Sequence, residues 1–301
     1  MSLLVVGSVA LDSIETPSAK VANVLGGSAT YFSVAASFFM TQVQLVAVVG
    51  DDFPKEYEDF LISKGIILSG LEYAEGKTFH WSGRYNDDLS IAETITTELN
   101  VYEKFQPNLS ASHKNAQYVF LANIHPELQL SIIQQVHNPK LIACDTMNLW
   151  IDTTHEALLR TLQDVDILIL NDAEAKSLSG RTSIREAAQV ISDYGPKKVI
   201  VKKGKHGVDL FSDSDSFSVP AYPLKQVVDT TGAGDSFAGG FIGYLAEGND
   251  LSVENLRRAV IYGSVMASFN IESFSINRLR TLTRKEIDCR FEELQSMISG
   301  R

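Results

Sequence analysis

Residues 227–241, VVDTTGAGDSFAGGF, combine closely spaced glycines with one aspartate at the start of an apolar run. Glycines at the beginning of a helix leave unpaired backbone N–H groups open to a ligand, and the partial positive charge there attracts anions. Asp235 follows Gly232 and Gly234 in the first predicted helical turn. A carboxylate beside such a site could take a proton while the N–H groups stabilise a phosphoryl group. The pattern predicts phosphoryl transfer, and the alternative is a helix start whose glycines only permit close packing.

Length, composition and charge exclude several classes of function. The 301 residues carry 26 basic and 37 acidic side chains, and the net charge of −11 disfavours a nucleic-acid binder or a protein held on an anionic membrane. No apolar run approaches the roughly 18 residues of a membrane span. Cys144 and Cys289 form no metal-ligand spacing. We therefore predict a cytoplasmic protein that has no structural zinc and binds neither nucleic acid nor a membrane.

Short runs of Val, Ile and Leu alternate with amphipathic segments along most of the chain. This order is typical of a parallel sheet with helices on both faces. The predicted buried strands are residues 3–10, 43–49, 117–123, 140–146, 166–172 and 197–203. The last third becomes helical, with predicted helices at 233–247, 252–270 and 283–298. Thr283 followed by Glu286 predicts a capping box at the start of the last helix.

Two segments interrupt this alternation. Residues 12–24 and 77–105 are polar and aromatic with little helical period, and each is too short to fold alone. We predict that they meet as a small β-lid over the carboxyl ends of the main strands, where open α/β sheets bind ligands. The whole chain, 1–301, is then one α/β domain with the lid inserted in it.

The heptad at residues 229–235, DTTGAGD, resembles the D-T-x-G-A-G-D signature of the ribokinase (PfkB-type) family of carbohydrate and nucleoside kinases. The Walker pattern is absent, and Phe237 stands where a dinucleotide motif needs a third glycine. The resemblance extends from about residue 3 to residue 267. It implies a ribokinase-like three-layer α/β/α sandwich with a mostly parallel central sheet and a small β-lid.

The resemblance also implies roles at the acceptor side of the site. Asp235 would be the base that takes the proton of the acceptor hydroxyl. The anion hole would be formed by the backbone N–H groups of Gly232, Ala233, Gly234 and Asp235. The resemblance implies that Asp12, Gly26 and Gly27 bind the substrate. We further predict Tyr31, Trp81 and Asn123 as substrate-binding residues.

At the donor side, the resemblance implies ATP with Mg²⁺. The implied nucleotide-binding residues are Asn171, Lys203, Gly204, Gly207 and Thr230. Glu174, in an N-x-x-E pattern with Asn171, would order Mg²⁺ through water. Potassium is implied as a further ion, held by the backbone carbonyls of Asp229 and Thr231.

Departures from the family pattern bear on the acceptor. Tyr31 stands where ribose kinases have asparagine, which disfavours ribose, and this ring either stacks on a substrate or packs in its helix. Trp150 stands where ketodeoxygluconate kinases have arginine, which disfavours an acid sugar. Trp81 belongs to an aromatic series on the predicted lid that either stacks on substrate or forms the lid's own core. His125 either approaches the acceptor or caps a loop.

The sequence therefore predicts an ATP-dependent kinase that phosphorylates a primary hydroxyl of a small sugar or nucleoside. Two alternatives remain: an enzyme specific for nucleosides of the adenosine or cytidine kind, and a non-catalytic regulator with the same fold. The intact Asp235 favours the enzyme. Some relatives pair through their lids, so a homodimer formed in this way is a further expectation.

Overall fold

The computed structural model describes residues 1–89, 92–212 and 215–300. Its strands are β1 (Leu3–Val6), β2 (Ala10–Glu15), β3 (Lys20–Gly26), β4 (Val43–Val49), β5 (Ile66–Tyr73), β6 (Phe79–Tyr85), β7 (Ala92–Glu98), β8 (Tyr118–Leu121), β9 (Leu141–Asp145), β10 (Ile167–Asn171), β11 (Lys198–Lys202), β12 (Val208–Ser212) and β13 (Asp215–Val219). Its α-helices are α1 (Ser28–Ala36), α2 (Lys55–Ser63), α3 (Ala111–Lys114), α4 (Pro126–Ile133), α5 (Asn148–Thr153), α6 (His155–Leu162), α7 (Asp172–Ser179), α8 (Ile184–Asp193), α9 (Ala233–Gly248), α10 (Val253–Asn270), α11 (Asn277–Thr281) and α12 (Arg284–Ser299). Short 3₁₀ helices lie at Asn100–Lys104 and Gly204–His206.

The main sheet has the order β13-β12-β11-β10-β9-β8-β1-β4-β5. The strands from β11 to β5 are parallel, and β12 and β13 continue the sheet in antiparallel fashion. Helices α1, α9, α10 and α12 bury their apolar residues against one face, and α4 to α8 cover the other. The predicted three-layer α/β/α fold with a mostly parallel sheet is confirmed. No helix in the described ranges is long and apolar enough to cross a membrane.

The prediction of the first strand was wrong in its bounds. The apolar run at residues 3–10 contains two strands, because β1 ends at Val6 and Ala10 already begins β2 in a different sheet. The chain leaves the main sheet at Gly7, where an added Cβ would lie 2.7 Å from the Cβ of Ala122. Strands β5, β12 and β13 were not predicted, since these edge segments interleave polar and apolar residues. The predicted capping box of Thr283 and Glu286 is present.

A second, four-stranded sheet has the order β3-β2-β6-β7. Strand β2 pairs in parallel with β6, and the outer pairs are antiparallel. The register places Asp12 beside Trp81 and Ile14 beside Gly83. These strands lie in the predicted lid segments 12–24 and 77–105, but β2 begins two residues before residue 12 and β3 ends two residues after residue 24. Residues 90–91 of the second segment lie outside the described ranges. We call this sheet the lid.

Candidate active site

The glycine turn lies at the start of α9, on the helix layer that contains α1. Gly232 is the N-cap with φ 73°, a left-handed conformation that favours glycine. The ring of Tyr31, 1% exposed, occupies the place that a Cβ on Gly232 would need. Asp229 holds the turn from below, because its Oδ1 accepts from the Thr231 N–H at 2.9 Å and from the Thr231 hydroxyl at 2.7 Å. The turn is therefore fixed by its own threonine and by a ring from α1.

The N–H groups of the turn are not equivalent. The N–H of Ala233 donates to the Thr230 carbonyl at 3.2 Å, whereas those of Gly232 and Gly234 have no protein acceptor within the described parts of the chain. The N–H of Asp235 faces its own carboxylate. Unpaired N–H groups at a helix N-terminus bind anions. Gly232 and Gly234 are thus the better-placed members of the four predicted for the anion hole.

Asp235 projects from the first turn of α9 and is partly buried. Burial raises the pKa of this carboxyl to about 6, with Lys202 opposing the rise and Glu174 adding to it. A carboxyl with a pKa close to neutrality suits a general base, because it is ionised near pH 7 yet still accepts a proton.

Asp12 lies on β2 at the opposite side of the turn and is 4% exposed. Burial is the main cause that raises its pKa to about 8, and the nearby carboxylate of Asp229 adds to the effect. The double glycine makes room for this side chain, since a Cβ on Gly26 would collide with the Asp12 carboxylate. Gly27, with φ 94°, turns the chain into α1, and its backbone amide lowers the pKa of Asp12 in part. Asp12 is thus a buried carboxyl that interacts electrostatically with Asp229 and Asp235.

Tyr31 lies between these two acidic groups. Its ring packs against Gly232, and its buried hydroxyl has no partner within the described residues. The surrounding carboxylates of Asp12, Asp229 and Asp235, together with burial, raise its pKa well above the usual range. Of the two roles left open by the sequence, the structure shows the packed one, with no ring face open for stacking.

Hydrogen bonds of Tyr85 and Thr230 connect the lid segment with the glycine turn. The Tyr85 hydroxyl on β6 lies 2.9 Å from Oγ1 of Thr231, and the Thr230 hydroxyl donates to the Leu89 carbonyl at 3.0 Å. Because Thr231 already donates to Asp229, Tyr85 is the donor in the first bond. Thr230, predicted to bind the nucleotide, thus holds the lid in this state.

The remaining predicted acceptor residues lie on two different surfaces. Trp81 on β6 covers Gly83 and donates from Nε1 to Thr94 at 3.2 Å. Asn123 follows β8; its Oδ1 accepts from Trp150 Nε1 at 2.8 Å. His125, the other residue left open, is the N-cap of α4 and accepts from the Glu127 N–H at 3.2 Å, which is the loop-capping role.

The donor side lies at the carboxyl ends of β10 and β11. Asn171 and Glu174 form a capping box on α7, with bonds of 2.8 Å and 2.7 Å. Gly204 and Gly207 both have positive φ and form the turn after β11. Lys203, the predicted nucleotide ligand, is paired with Asp209 at 2.7 Å.

Two charged residues at this edge were missed by the sequence analysis. Lys202 ends β11, and a Cβ on Gly234 would collide with its Nζ. Asp145 ends β9, is 6% exposed, and interacts electrostatically with Asp235 and Lys202. The sequence did contain a signal for Lys202. Side chains alternate along a strand, so residue 202, and not 203, lies on the same face as Ile200, which packs in the α9 layer.

Comparison with known proteins agrees with this geometry. The sequence matches the pfkB family carbohydrate kinase over residues 2–280. A cytidine kinase from Thermococcus kodakarensis is 29% identical over 83% of this chain and 91% of its own length. The crystal structure of the Methanocaldococcus jannaschii nucleoside kinase has a TM-score of 0.77 at 23% identity, covering 97% of this chain and 98% of that one. A ribokinase II from E. coli, solved with ATP and Mg²⁺, has a TM-score of 0.80 at 19% identity, covering 97% and 99%.

The family match spans nearly the whole chain and includes every strand and helix that contributes to the site. The glycine turn, the buried Asp12 and the N-x-x-E segment lie in the order and at the sheet edge that the sequence predicted. The chain belongs to the pfkB family of carbohydrate kinases and is a phosphotransferase that acts on an alcohol group of a sugar or nucleoside.

Proposed function

We propose that the protein transfers the γ-phosphoryl group of ATP to a primary hydroxyl of a nucleoside, with Asp235 as the general base. The observation that carries the proposal is the juxtaposition at the start of α9. There the open N–H groups of Gly232 and Gly234 adjoin a carboxyl whose pKa is raised to about 6. The likeness to a cytidine kinase over most of both chains supports a nucleoside as the acceptor.

Each residue then has a defined task. Asp12 would accept hydrogen bonds from sugar hydroxyls and place the acceptor oxygen near Asp235. Asp235 would take the hydroxyl proton as the oxygen attacks phosphorus. The N–H groups of the turn would stabilise the charge on the transferred group, since loose phosphoryl transfer depends chiefly on positioning and charge stabilisation. The lid would exclude water, which is a competing acceptor.

The donor would be ATP with Mg²⁺, the ion that neutralises the phosphate charges when bound. Glu174 fits an indirect role in which it would bind a water molecule on Mg²⁺, because one of its carboxylate oxygens already accepts from the Asn171 N–H. The described residues contain no cluster of three or more metal-ligating side chains. This donor set fits Mg²⁺ held mainly by nucleotide phosphates and water.

Potassium at the carbonyls of Asp229 and Thr231 is a further part of the proposal. Asn270 Nδ2 donates to the Thr231 carbonyl at 2.7 Å, while Asn270 Oδ1 and Asp229 Oδ2 are buried without partners among the residues described. Buried oxygens without donors fit a bound cation. Replacing K⁺ with Na⁺ at equal ionic strength should lower both turnover and the melting temperature; equal values in both salts would remove potassium from the scheme.

A free small sugar is the second candidate acceptor. It is favoured by Trp81, whose indole lies over Gly83 and is tied to Thr94, so that the ring serves the lid itself and need not cover a base. Both candidates share the same turn and the same base, and they differ only in what the lid covers.

A panel of nucleosides and sugars in a coupled ADP-release assay tests the proposal, with Asp235→Asn as the matched control. We expect cytidine or another nucleoside to give the highest kcat/KM and the Asn variant to lose at least ~10² in kcat. ³¹P NMR of the product identifies the phosphorylated hydroxyl. Preference for free sugars would replace the nucleoside by the second candidate. Full turnover by the Asn variant would refute Asp235 as the base.

Two less specific expectations belong to the same proposal. Pairing through the lids is supported by β7, whose residues are all exposed and whose outer edge is unpaired in the described structure. A cytoplasmic setting is supported by the two free cysteines, Cys144 buried and Cys289 exposed. Light scattering of the full chain and of an Ile95→Lys variant tests the pairing.

A further inference from the structure

A lysine without a partner lies at the opening of the glycine turn. Lys202 extends from the end of β11 into the space beside Gly234, and only the absence of a side chain at 234 leaves room for its ammonium. No hydrogen bond or ion pair holds this ammonium within residues 1–89, 92–212 and 215–300. The adjacent Lys203 is, by contrast, paired with Asp209.

This position is unfavourable for a cation unless an anion shares it. The first turn of α9 carries positive partial charge, so an ammonium beside it is repelled. Three carboxyl groups lie within its electrostatic reach: burial raises the pKa values of Asp145, Glu174 and Asp235, and Lys202 opposes the rise in each. Lys202 therefore interacts both with the proposed donor side, marked by Glu174, and with the proposed acceptor side, marked by Asp235.

A second observation concerns Asp145. This side chain is 6% exposed, and its Oδ1 has no hydrogen-bond partner in the described parts of the chain. A buried carboxylate and an ammonium in one pocket that do not satisfy each other are unusual in a finished protein interior. They are the arrangement expected where a charged ligand completes the site.

We propose that Lys202 is a catalytic residue that contacts the transferred phosphoryl group and stabilises its negative charge between nucleotide and acceptor. The inference rests on the proposed kinase reaction. In that step the bond from the bridging oxygen of ADP to phosphorus breaks and the bond from the acceptor oxygen to phosphorus forms. The acceptor proton goes to Asp235, and Lys202 keeps all its protons throughout.

The charge balance of the site explains why such a residue is needed. In their ionised forms, Asp145, Glu174 and Asp235 would repel an incoming triphosphate. In a loose transition state the charge spreads over the non-bridging oxygens of the transferred group, which the N–H groups of the turn contact from one side only. An ammonium directed at the same point supplies the counter-charge from the sheet side.

Binding measurements test the contact without any acceptor. The variants are Lys202→Met, Lys202→Arg and the control Lys198→Met, at the opposite end of β11. The probes are the non-hydrolysable ATP analogue AMP-PNP and ADP, each with Mg²⁺. A contact to the γ-phosphoryl group predicts that Lys202→Met weakens AMP-PNP at least tenfold and leaves ADP within about twofold. Equal weakening of both nucleotides, or of neither, would overturn the proposal.

Turnover measurements then separate this inference from the kinase proposal. With the acceptor that serves the wild type, Lys202→Met should lose ~10²–10³ in kcat, the scale of one lost charge-stabilising donor, and Lys202→Arg should recover part of it. Lys198→Met should stay near wild type. If the wild type phosphorylates no acceptor, the kinase proposal fails; if the wild type is active and Lys202→Met is equally active, only the role of Lys202 fails.

Discussion

The floor of the site and the lid above it are built in opposite ways. The floor, formed by the turn before α9 and the start of α1, is closely packed: Asp229 is fully buried, and a Cβ on Gly239 in α9 would collide with the Phe32 carbonyl in α1. In the lid, every residue of β7 is exposed, and β3 is largely exposed until it reaches Leu25. Side-chain hydrogen bonds of Tyr85 and Thr230 join the lid to the floor.

The difference assigns the two regions to different tasks. Electrostatic stabilisation of a phosphoryl group requires donors that do not move, and dense packing provides this. The outer strands β7 and β3 have few buried residues, unlike β2, and such strands open at low free energy, as acceptor entry and product release require. We therefore expect changes in the floor to act on kcat and changes in the lid to act on acceptor KM and on lid opening.

Gly234→Val in the floor should have the largest effect, about 10²-fold in kcat, because a branched side chain displaces Lys202 and blocks the anion site. The melting temperature should fall only modestly, since the collision is with the flexible end of a lysine. Gly248→Val, at the other end of α9, is the matched control, because a Cβ there meets only ordinary contacts. Steady-state kinetics with a thermal melt measure both, and normal turnover by Gly234→Val would show that the turn does not hold the phosphate.

Asp12→Ala, where lid and floor meet, should raise the acceptor KM roughly ten- to a hundredfold and leave the ATP KM nearly unchanged. The reason is the loss of hydrogen bonds between the Asp12 carboxyl and the acceptor hydroxyls, which at about 0.5–1.5 kcal/mol each amount to about 1–3 kcal/mol for two bonds. Glu15→Ala on the same strand is the control, since Glu15 pairs with Arg84 on the other face of the lid. Equal changes in the KM values for acceptor and ATP would contradict the assignment of Asp12 to acceptor binding alone.

Asp12→Asn should make the free protein more stable at alkaline pH. Burial raises the pKa of Asp12 from 3.8 to about 8, so the folded state binds this proton more tightly than the unfolded state does. The contribution of Asp12 to the free energy of unfolding is therefore complete below pH 3.8. It is lost as the pH rises toward 8, where the buried carboxyl must ionise. Denaturation of both proteins at pH 5 and pH 8.5 should show a larger advantage of the Asn variant at pH 8.5. An advantage that does not change with pH would mean that Asp12 is not buried in this way.

Tyr85→Phe should give the smallest change, a loss of about 0.5–1.5 kcal/mol in lid closure with kcat near wild type. The lost bond is the one from the Tyr85 hydroxyl to Thr231. Hydrogen exchange in β6 and β7 should be faster in the variant, and added acceptor should slow it in the wild type. Tyr73→Phe, on the exposed edge strand β5, serves as the control. If the exchange rates in β6 and β7 change neither with the mutation nor with added acceptor, the lid does not close.

The sequence by itself determined the features that depend on neighbouring residues. The DTTGAGD heptad, the strand–helix alternation and the capping box of Thr283 with Glu286 are local patterns. The heptad begins α9 and the capping box begins α12 as predicted, and the alternation gave the parallel sheet although the bounds of the first strand were wrong and β5, β12 and β13 were missed. Local patterns are reliable because backbone geometry links residues a few positions apart. They were enough to establish the fold class and to place the proposed anion site at the start of α9.

Only the tertiary structure decided which side chains meet. It placed Lys202 rather than Lys203 beside the turn, buried Tyr31 under Gly232, and ended the first strand at Val6. In each case the deciding partner is distant in the chain, as Gly234 is for Lys202, and its approach depends on how the sheet and the helix layers pack. A sequence pattern specifies the face on which a side chain lies, but the group that faces it across the site comes from another element, and only the packed fold brings the two together.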